Sequence, residues 1–81
     1  MRLVIADDSE AVRKRLTEMI SELKGVEIVG QAEDVREAIE TIERLRPDAV
    51  VLDIQMPGGS GIDVLKKIKS NGVAPVVIML T

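Results

Sequence analysis

The chain has 81 residues and a formal net charge of -3, with 46% hydrophobic and 31% charged side chains and no cysteine, histidine or aromatic residue. This composition excludes disulfides, thiolate or imidazole metal sites, histidine-dependent catalysis and stacking of bases on aromatic rings, so we expect one small domain with no nucleic-acid partner. The longest aliphatic run, "VVIML", is far shorter than the roughly 20 residues of a membrane span, and the start is too polar for a signal peptide, so we expect a cytoplasmic protein without a membrane partner.

The first third of the chain predicts a strand, a helix and a second strand. Residues 2–6, "RLVIA", form a short apolar run typical of a buried strand. From Ser9 onward, apolar residues recur at spacings of three and four until Gly25, which predicts a helix that this glycine ends. Residues 26–32, "VEIVGQA", predict the second strand.

The remaining residues repeat the alternation. Asp34 begins a second helical pattern that Pro47 would terminate, because proline cannot continue a helix. Residues 49–54 predict a third strand, a third helix ends near Gly72, and residues 76–80 predict a fourth strand. Strands joined by single helices run parallel, and their fully apolar runs indicate that both faces are covered. The sequence therefore predicts an α/β domain with helices on both faces of a parallel sheet.

Acidic residues follow two of these strands. Asp7 and Asp8 come after the first strand, and Asp53 lies at the end of the third. Ligands of open parallel sheets bind at the carboxyl ends of the strands, so neighbouring first and third strands would bring the three carboxylates together. Such a group of like charges favours a bound cation, and Mg²⁺ prefers oxygen ligands of this kind. With the hydroxyl of Thr81 at the same edge, the pattern suits phosphoryl transfer.

Each of these features also has a purely structural interpretation. Taken alone, Asp7 and Asp8 are explained by the favourable interaction of anions with a helix amino terminus, and Ser9 by helix capping. The segment "MPGGSG" is equally a turn, with Ser60 capping the third helix. Asp53 resists this interpretation, because a charge that ends a buried apolar strand needs a partner or a function.

Three motifs in order, "VIADDS", "VVLDIQMPGGSG" and "PVVIMLT", resemble the receiver domain of two-component response regulators from Leu3 to Thr81. The resemblance implies a flavodoxin-like (CheY-like) fold with helices on both faces of a parallel sheet of order 2-1-3-4. It also implies that Asp53 accepts a phosphoryl group from a sensor histidine kinase. Thr81 would be the switch hydroxyl that moves toward the phosphoryl group. The implied Mg²⁺ ligands are Asp7, Asp8, Asp53 and the backbone carbonyl of Gln55.

The resemblance also implies what the chain lacks. Residues 1–81 correspond to the amino-terminal two-thirds of a receiver, a truncated domain without the last α-β-α portion and its phosphoryl-binding lysine. We therefore expect impaired phosphoacceptor chemistry, and no enzyme activity beyond self-phosphorylation and self-dephosphorylation. Gln55, two residues beyond Asp53, would lie where the family varies the lifetime of the acyl phosphate.

Two alternatives remain. One is a non-phosphorylatable, receiver-like fragment that acts only in structure or homo-oligomeric assembly. The other is a haloacid-dehalogenase-type phosphatase, which requires Asp-x-Asp after the first strand, whereas the aspartates here are adjacent.

The fourth strand predicts self-association. "VVIML" is apolar on both sides, yet it would form an edge of the sheet, and unpaired strand edges tend to pair with other chains. We expect a homo-oligomer formed through this strand and the exposed face of the first helix. Val12, Leu16 and Met19 would lie near the contact, and charged residues at Val77 or Met79 would weaken it.

Overall fold

A four-stranded parallel sheet carries the fold in the computed structural model, which describes residues 1–80. Its strands are β1 (Arg2–Ala6), β2 (Glu27–Ala32), β3 (Ala49–Asp53) and β6 (Val76–Leu80). The helices are α1 (Glu10–Ile20), α2 (Val35–Leu45) and α3 (Gly61–Ser70), and the short strands β4 (Gln55–Met56) and β5 (Gly59–Ser60) form an antiparallel hairpin. The strand order β2-β1-β3-β6 confirms the predicted order, with β6 as the strand predicted fourth.

Local signals set the helix starts. Ser9 accepts a hydrogen bond from Val12 N–H at the start of α1, and Asp34 accepts one from Glu37 N–H at the start of α2. The hydroxyl of Ser60 caps α3 as the turn interpretation predicted, and the Asp63 side chain completes a capping box. Among residues 1–80, no helix combines the length and the apolar character needed to cross a membrane.

The predicted end of α1 was wrong. The helix stops at Ile20, because Leu23 N–H donates to the Ile20 carbonyl in a tighter turn. The Leu23 side chain is 56% exposed, so no apolar burial extends the helix to that position. Gly25, with φ of 80°, belongs to the following turn.

The helices cover the two faces of the sheet unequally. Alternate residues of β1 and β3 point to opposite sides. On one side α2 and α3 bury their largest fully enclosed side chains, Ile42, Val64 and Ile68. On the other side α1 has no buried residue and covers the sheet with the partly buried Leu16 and Ile20. Right-handed crossover connections account for this arrangement, with α1 on one face of the sheet and α2 and α3 on the other.

The edge strand β6 presents a different face from the one expected. Val77 and Met79 are partly buried and pack against the core beneath α2 and α3. A charge at either position would therefore also disturb this core, and the expectation that it would weaken an intermolecular contact stays a prediction. The exposed residues of β6 are Val76 (61%) and Ile78 (51%), on the α1 side. Successive side chains of a strand point to opposite faces of the sheet. Because Val77 and Met79 face α2 and α3, Val76 and Ile78 face the other side.

Of the three α1 residues expected near that contact, two are exposed and one packs against the core. Met19 is 59% exposed and Val12 38% exposed, so both are available on the surface. Leu16 instead packs against the core beneath α1.

Candidate functional site

Three carboxylates meet at the carboxyl edge of the sheet. Asp7 and Asp8 follow β1, and Asp53 is the last residue of the neighbouring β3. One oxygen atom from each carboxylate lies within 4.8 Å of the other two. The parallel pairing of β1 with β3 produces this cluster, because it aligns the ends of the two strands.

Asp7 is the buried member of the cluster. Its side chain is 5% exposed, and Oδ1 accepts a hydrogen bond from Ser9 N–H at 2.8 Å. Burial raises the pKa of Asp7 above its ordinary value, and the charges of Asp53 and Asp8 raise it further. The Ser9 hydrogen bond and the charge of Arg13 act in the opposite direction. The ionised form of Asp7 is therefore disfavoured, and a cation among the three carboxylates would relieve the repulsion.

Backbone contacts hold the segment after Asp53. Oδ1 of Asp53 accepts a hydrogen bond from Gln55 N–H at 3.3 Å. Ile54 N–H donates to the Leu80 carbonyl at 3.1 Å, and Gly61 N–H donates to the Ile54 carbonyl at 2.8 Å. The hairpin and the start of α3 thus lie directly against the end of β3, which fixes where Asp53 ends the strand.

Asp53 opens onto solvent. It lines an open pocket of about 470 Å³ together with Asp8, Ile54 and Gln55. Asp8 and Gln55 are exposed, and Asp53 is half-buried. Asp53 is therefore accessible from solvent through this pocket, whereas Asp7 is buried. Thr81, the predicted switch hydroxyl, lies outside the described residues.

The donor set fits Mg²⁺. Mg²⁺ takes oxygen ligands, commonly binds one or two carboxylates, and keeps several water molecules. The cluster offers carboxylates at an open pocket, which leaves room for water and a phosphoryl oxygen.

A second acidic group has a structural explanation. Glu33, Asp34 and Glu37 also come within 4.8 Å of one another, but Asp34 caps α2 by accepting the Glu37 N–H. This group lies at a helix start, away from the pocket that Asp53 lines.

Arg13 contacts the carboxylate cluster in a way that the sequence did not predict. Its Nη1 donates a hydrogen bond to the backbone carbonyl of Asp7 at 2.6 Å. The only signal was a basic residue in the first turn of a helix that begins beside two aspartates.

The chain is similar in sequence to known proteins along almost its whole length. The family model described as the response regulator receiver domain matches residues 3–81. The chain is 44% identical over 78 residues to the transcriptional regulatory protein PdtaR of Mycobacterium tuberculosis, across 96% of this chain and 38% of that protein. It is 42% identical over 80 residues to a protein-glutamate methylesterase/protein-glutamine glutaminase of Rhizobium etli, across 99% of this chain and 23% of that protein.

A solved structure shows the same fold. The crystal structure of the response regulator domain of Thermotoga maritima CheB superposes with a TM-score of 0.89 at 39% identity. The match covers 98% of this chain and 58% of that one. The chain thus spans less than two-thirds of each of these proteins, and their activities as whole proteins are not carried over with the match.

Proposed function

The chain belongs to the response regulator receiver domain family, and on that premise we propose that it is the phosphoacceptor of a two-component signalling system. In this proposal a sensor histidine kinase is the phosphoryl donor, Asp53 is the acceptor and Mg²⁺ is the cofactor. The observation that carries the proposal is the meeting of three carboxylates at an open pocket lined by Asp53.

Asp53 and Gln55 have distinct roles in the proposed transfer. A carboxylate oxygen of Asp53 attacks the phosphorus of the donor phosphohistidine. An O–P bond forms as the P–N bond breaks, and the nitrogen keeps the electron pair and is then protonated. The Gln55 N–H orients the Asp53 carboxylate for this attack.

The proposed Mg²⁺ ligands are Asp7, Asp8, Asp53 and the backbone carbonyl of Gln55. The bound cation would supply positive charge for the phosphoryl oxygens, which is the main requirement of phosphoryl transfer. Thr81 is proposed as the switch hydroxyl on the strength of the resemblance alone.

We also propose that residues 1–81 correspond to the amino-terminal two-thirds of a receiver. The 58% coverage of the T. maritima domain supports this correspondence. The activity of the domain would be limited to its own phosphorylation and dephosphorylation. An isolated 81-residue chain would hold little stable phosphate, because it would lack the phosphoryl-binding lysine that the resemblance places in later residues of the family.

Intact-mass measurement with acetyl phosphate and Mg²⁺ tests the proposal. In a protein extended through a fifth strand and helix, one phosphoryl group should be added, and Asp53→Ala should prevent the addition. Glu43→Ala, an exchange on α2 outside the carboxylate cluster, is the matched control and should leave phosphorylation intact. Phosphorylation at Asp7 or Asp8 while Asp53 stays unmodified would contradict the assignment.

The edge strand favours a second candidate, a receiver-like fragment that acts only in structure or assembly. Among the described strands β6 pairs with β3 alone, and it exposes Val76 and Ile78. We propose that an isolated 81-residue chain forms a homo-oligomer through this strand. If the extended protein also fails to take up phosphate, assembly becomes the better description of its role.

A further inference from the structure

Arg13 joins two loops at the carboxyl edge of the sheet. Its side chain is 13% exposed, although it carries a charge and lies in the first turn of α1. Nη1 donates to the Asp7 carbonyl at 2.6 Å, and Nη2 lies 4.0 Å from Oε2 of Glu33 in the loop after β2. A largely buried guanidinium thus donates a hydrogen bond to the backbone of a residue in the carboxylate cluster.

The contact with Glu33 does not explain this placement. The Glu33 side chain is 61% exposed, and the 4.0 Å separation is at the limit for an ion pair. Exposed pairs of this kind contribute little to folding, typically about 0–1 kcal/mol. The short hydrogen bond to the Asp7 carbonyl is the stronger contact, since hydrogen bonds from a charged donor are stronger than those between neutral groups.

Charge neutralisation explains the placement only in small part, because the charge of Arg13 has the smallest effect among the causes that shift the pKa of Asp7. The Arg13 hydrogen bond goes to the carbonyl oxygen of Asp7, whereas the Asp7 carboxylate is held by Ser9 N–H. Asp7 is therefore fixed at two points, by Arg13 at its backbone and by Ser9 at its side chain. A positive charge near a cation site by itself opposes cation binding, so a favourable effect of Arg13 on the site would have to come from geometry.

We propose that Arg13 is a positioning residue for the carboxylate cluster. By fixing the Asp7 carbonyl, it sets the peptide that joins Asp7 to Asp8 and so aims both carboxylates toward Asp53. The inference rests on the proposed function, because it assumes that these carboxylates bind Mg²⁺. Groups that orient metal ligands without touching the metal commonly change metal affinity by about 10–100-fold.

The test is Mg²⁺ affinity, followed by NMR amide shifts of the 81-residue chain, in Arg13→Met and Arg13→Gln. Positioning predicts that Arg13→Met weakens Mg²⁺ binding about tenfold. At a pH at which Asp7 is ionised with or without Arg13, a purely electrostatic role predicts tighter binding, because the substitution removes a repelling charge. Arg13→Gln keeps a neutral donor and should bind with intermediate affinity, and it serves as the test variant if Arg13→Met does not fold. Glu33→Gln is the matched control and should leave the affinity unchanged.

The outcomes distinguish a failure of the metal site from a failure of the positioning role of Arg13. Absence of Mg²⁺-dependent shifts in the unsubstituted chain would refute the metal site and the inference with it. Binding by the unsubstituted chain that is equalled or exceeded by the Arg13 variants would overturn the inference alone. Unfolding in EDTA supplies the remaining readout. If Arg13 has only a structural role, its substitution should lower the stability in EDTA and leave the Mg²⁺ affinity unchanged.

Discussion

A Cβ atom on Gly61 would lie 2.5 Å from the backbone carbonyl oxygen of Asp53, closer than side chains approach in folded proteins. The start of α3 is therefore in direct backbone contact with the proposed acceptor. Gly61 is buried, and the Met79 sulfur at 3.0 Å from the same Cβ position closes the other side. Asp53 can hold its place only while position 61 has no side chain.

Gly61→Ala should lower the free energy of unfolding by about 1–3 kcal/mol, the usual cost of forcing a methyl group into a packed site. The displaced backbone should also shift the amide resonances of Asp53 and Ile54. Chemical denaturation and NMR measure the two effects. Unchanged stability together with unchanged Asp53 resonances would contradict the close approach.

Gly72→Ala is the control for backbone strain. Gly72 has φ of 79°, and a Cβ atom there would meet nothing within 4 Å. Alanine at this position should cost about 1 kcal/mol through strain alone, without a shift at Asp53. A shift at Asp53 in this variant would show that the Gly61 result reflects general destabilisation.

Asp7 predicts a pH dependence of stability in the absence of divalent cations. Its raised pKa means that the folded state binds a proton more tightly than the unfolded state. Stability should therefore fall as the pH rises from the unfolded value of 3.8 through the folded pKa, and this penalty should persist at neutral pH. Asp7→Asn removes the charge and keeps an oxygen that can accept the Ser9 N–H.

In EDTA at neutral pH, Asp7→Asn should be more stable than the unsubstituted chain. Saturating Mg²⁺ should reverse the order, because a ligand that binds the folded state more tightly stabilises it more, and the variant has lost a proposed ligand. Denaturation curves with and without Mg²⁺ check both statements. A variant that is less stable in EDTA would show that the Asp7 charge is already compensated within the protein.

The magnesium site itself makes a direct prediction. Millimolar Mg²⁺ should shift the amides near Asp8, Asp53 and Gln55, and Asp8→Ala should abolish the shifts, because it removes an exposed carboxylate of the cluster. Glu43→Gln, on α2, should leave them intact. NMR titration measures both, and a spectrum that does not respond to Mg²⁺ would rule out the site.

The sequence predicts this fold well because each element has its own periodic signal. Short apolar runs indicate the strands of the sheet, and spacings of three and four indicate the helices. The end of α1 was predicted wrongly, because Gly25 indicates a turn but does not show how many residues earlier the helix stops. Asp53 could be named as a candidate from the sequence because a charge ends an apolar strand, and the structure brings it together with Asp7 and Asp8. Arg13 could not be named, because its partner is a backbone carbonyl, and no residue type in the sequence reveals a backbone partner.

Self-association of the isolated 81-residue chain is the remaining prediction. β6 is an edge strand among the described residues, and Val76 and Ile78 border an apolar pocket with Leu23 and Ile20 beneath α1. A strand edge with unpaired backbone groups beside exposed apolar side chains favours pairing with a second copy. Ile78→Lys places a charge on this surface and should shift the oligomer to monomer in light scattering at micromolar concentration.

Ile62→Lys provides the matched control for that experiment. Ile62 is 46% exposed, close to the 51% of Ile78, but it lies on α3, which packs on the opposite face of the sheet. The exchange adds the same charge to the same residue type, so a general effect of lysine on solubility would appear in both variants. Loss of assembly in Ile78→Lys alone would locate the contact at β6. An unsubstituted chain that is monomeric and unfolds cooperatively would refute assembly, because the exposed apolar surface beside β6 would then be stable in water without a partner.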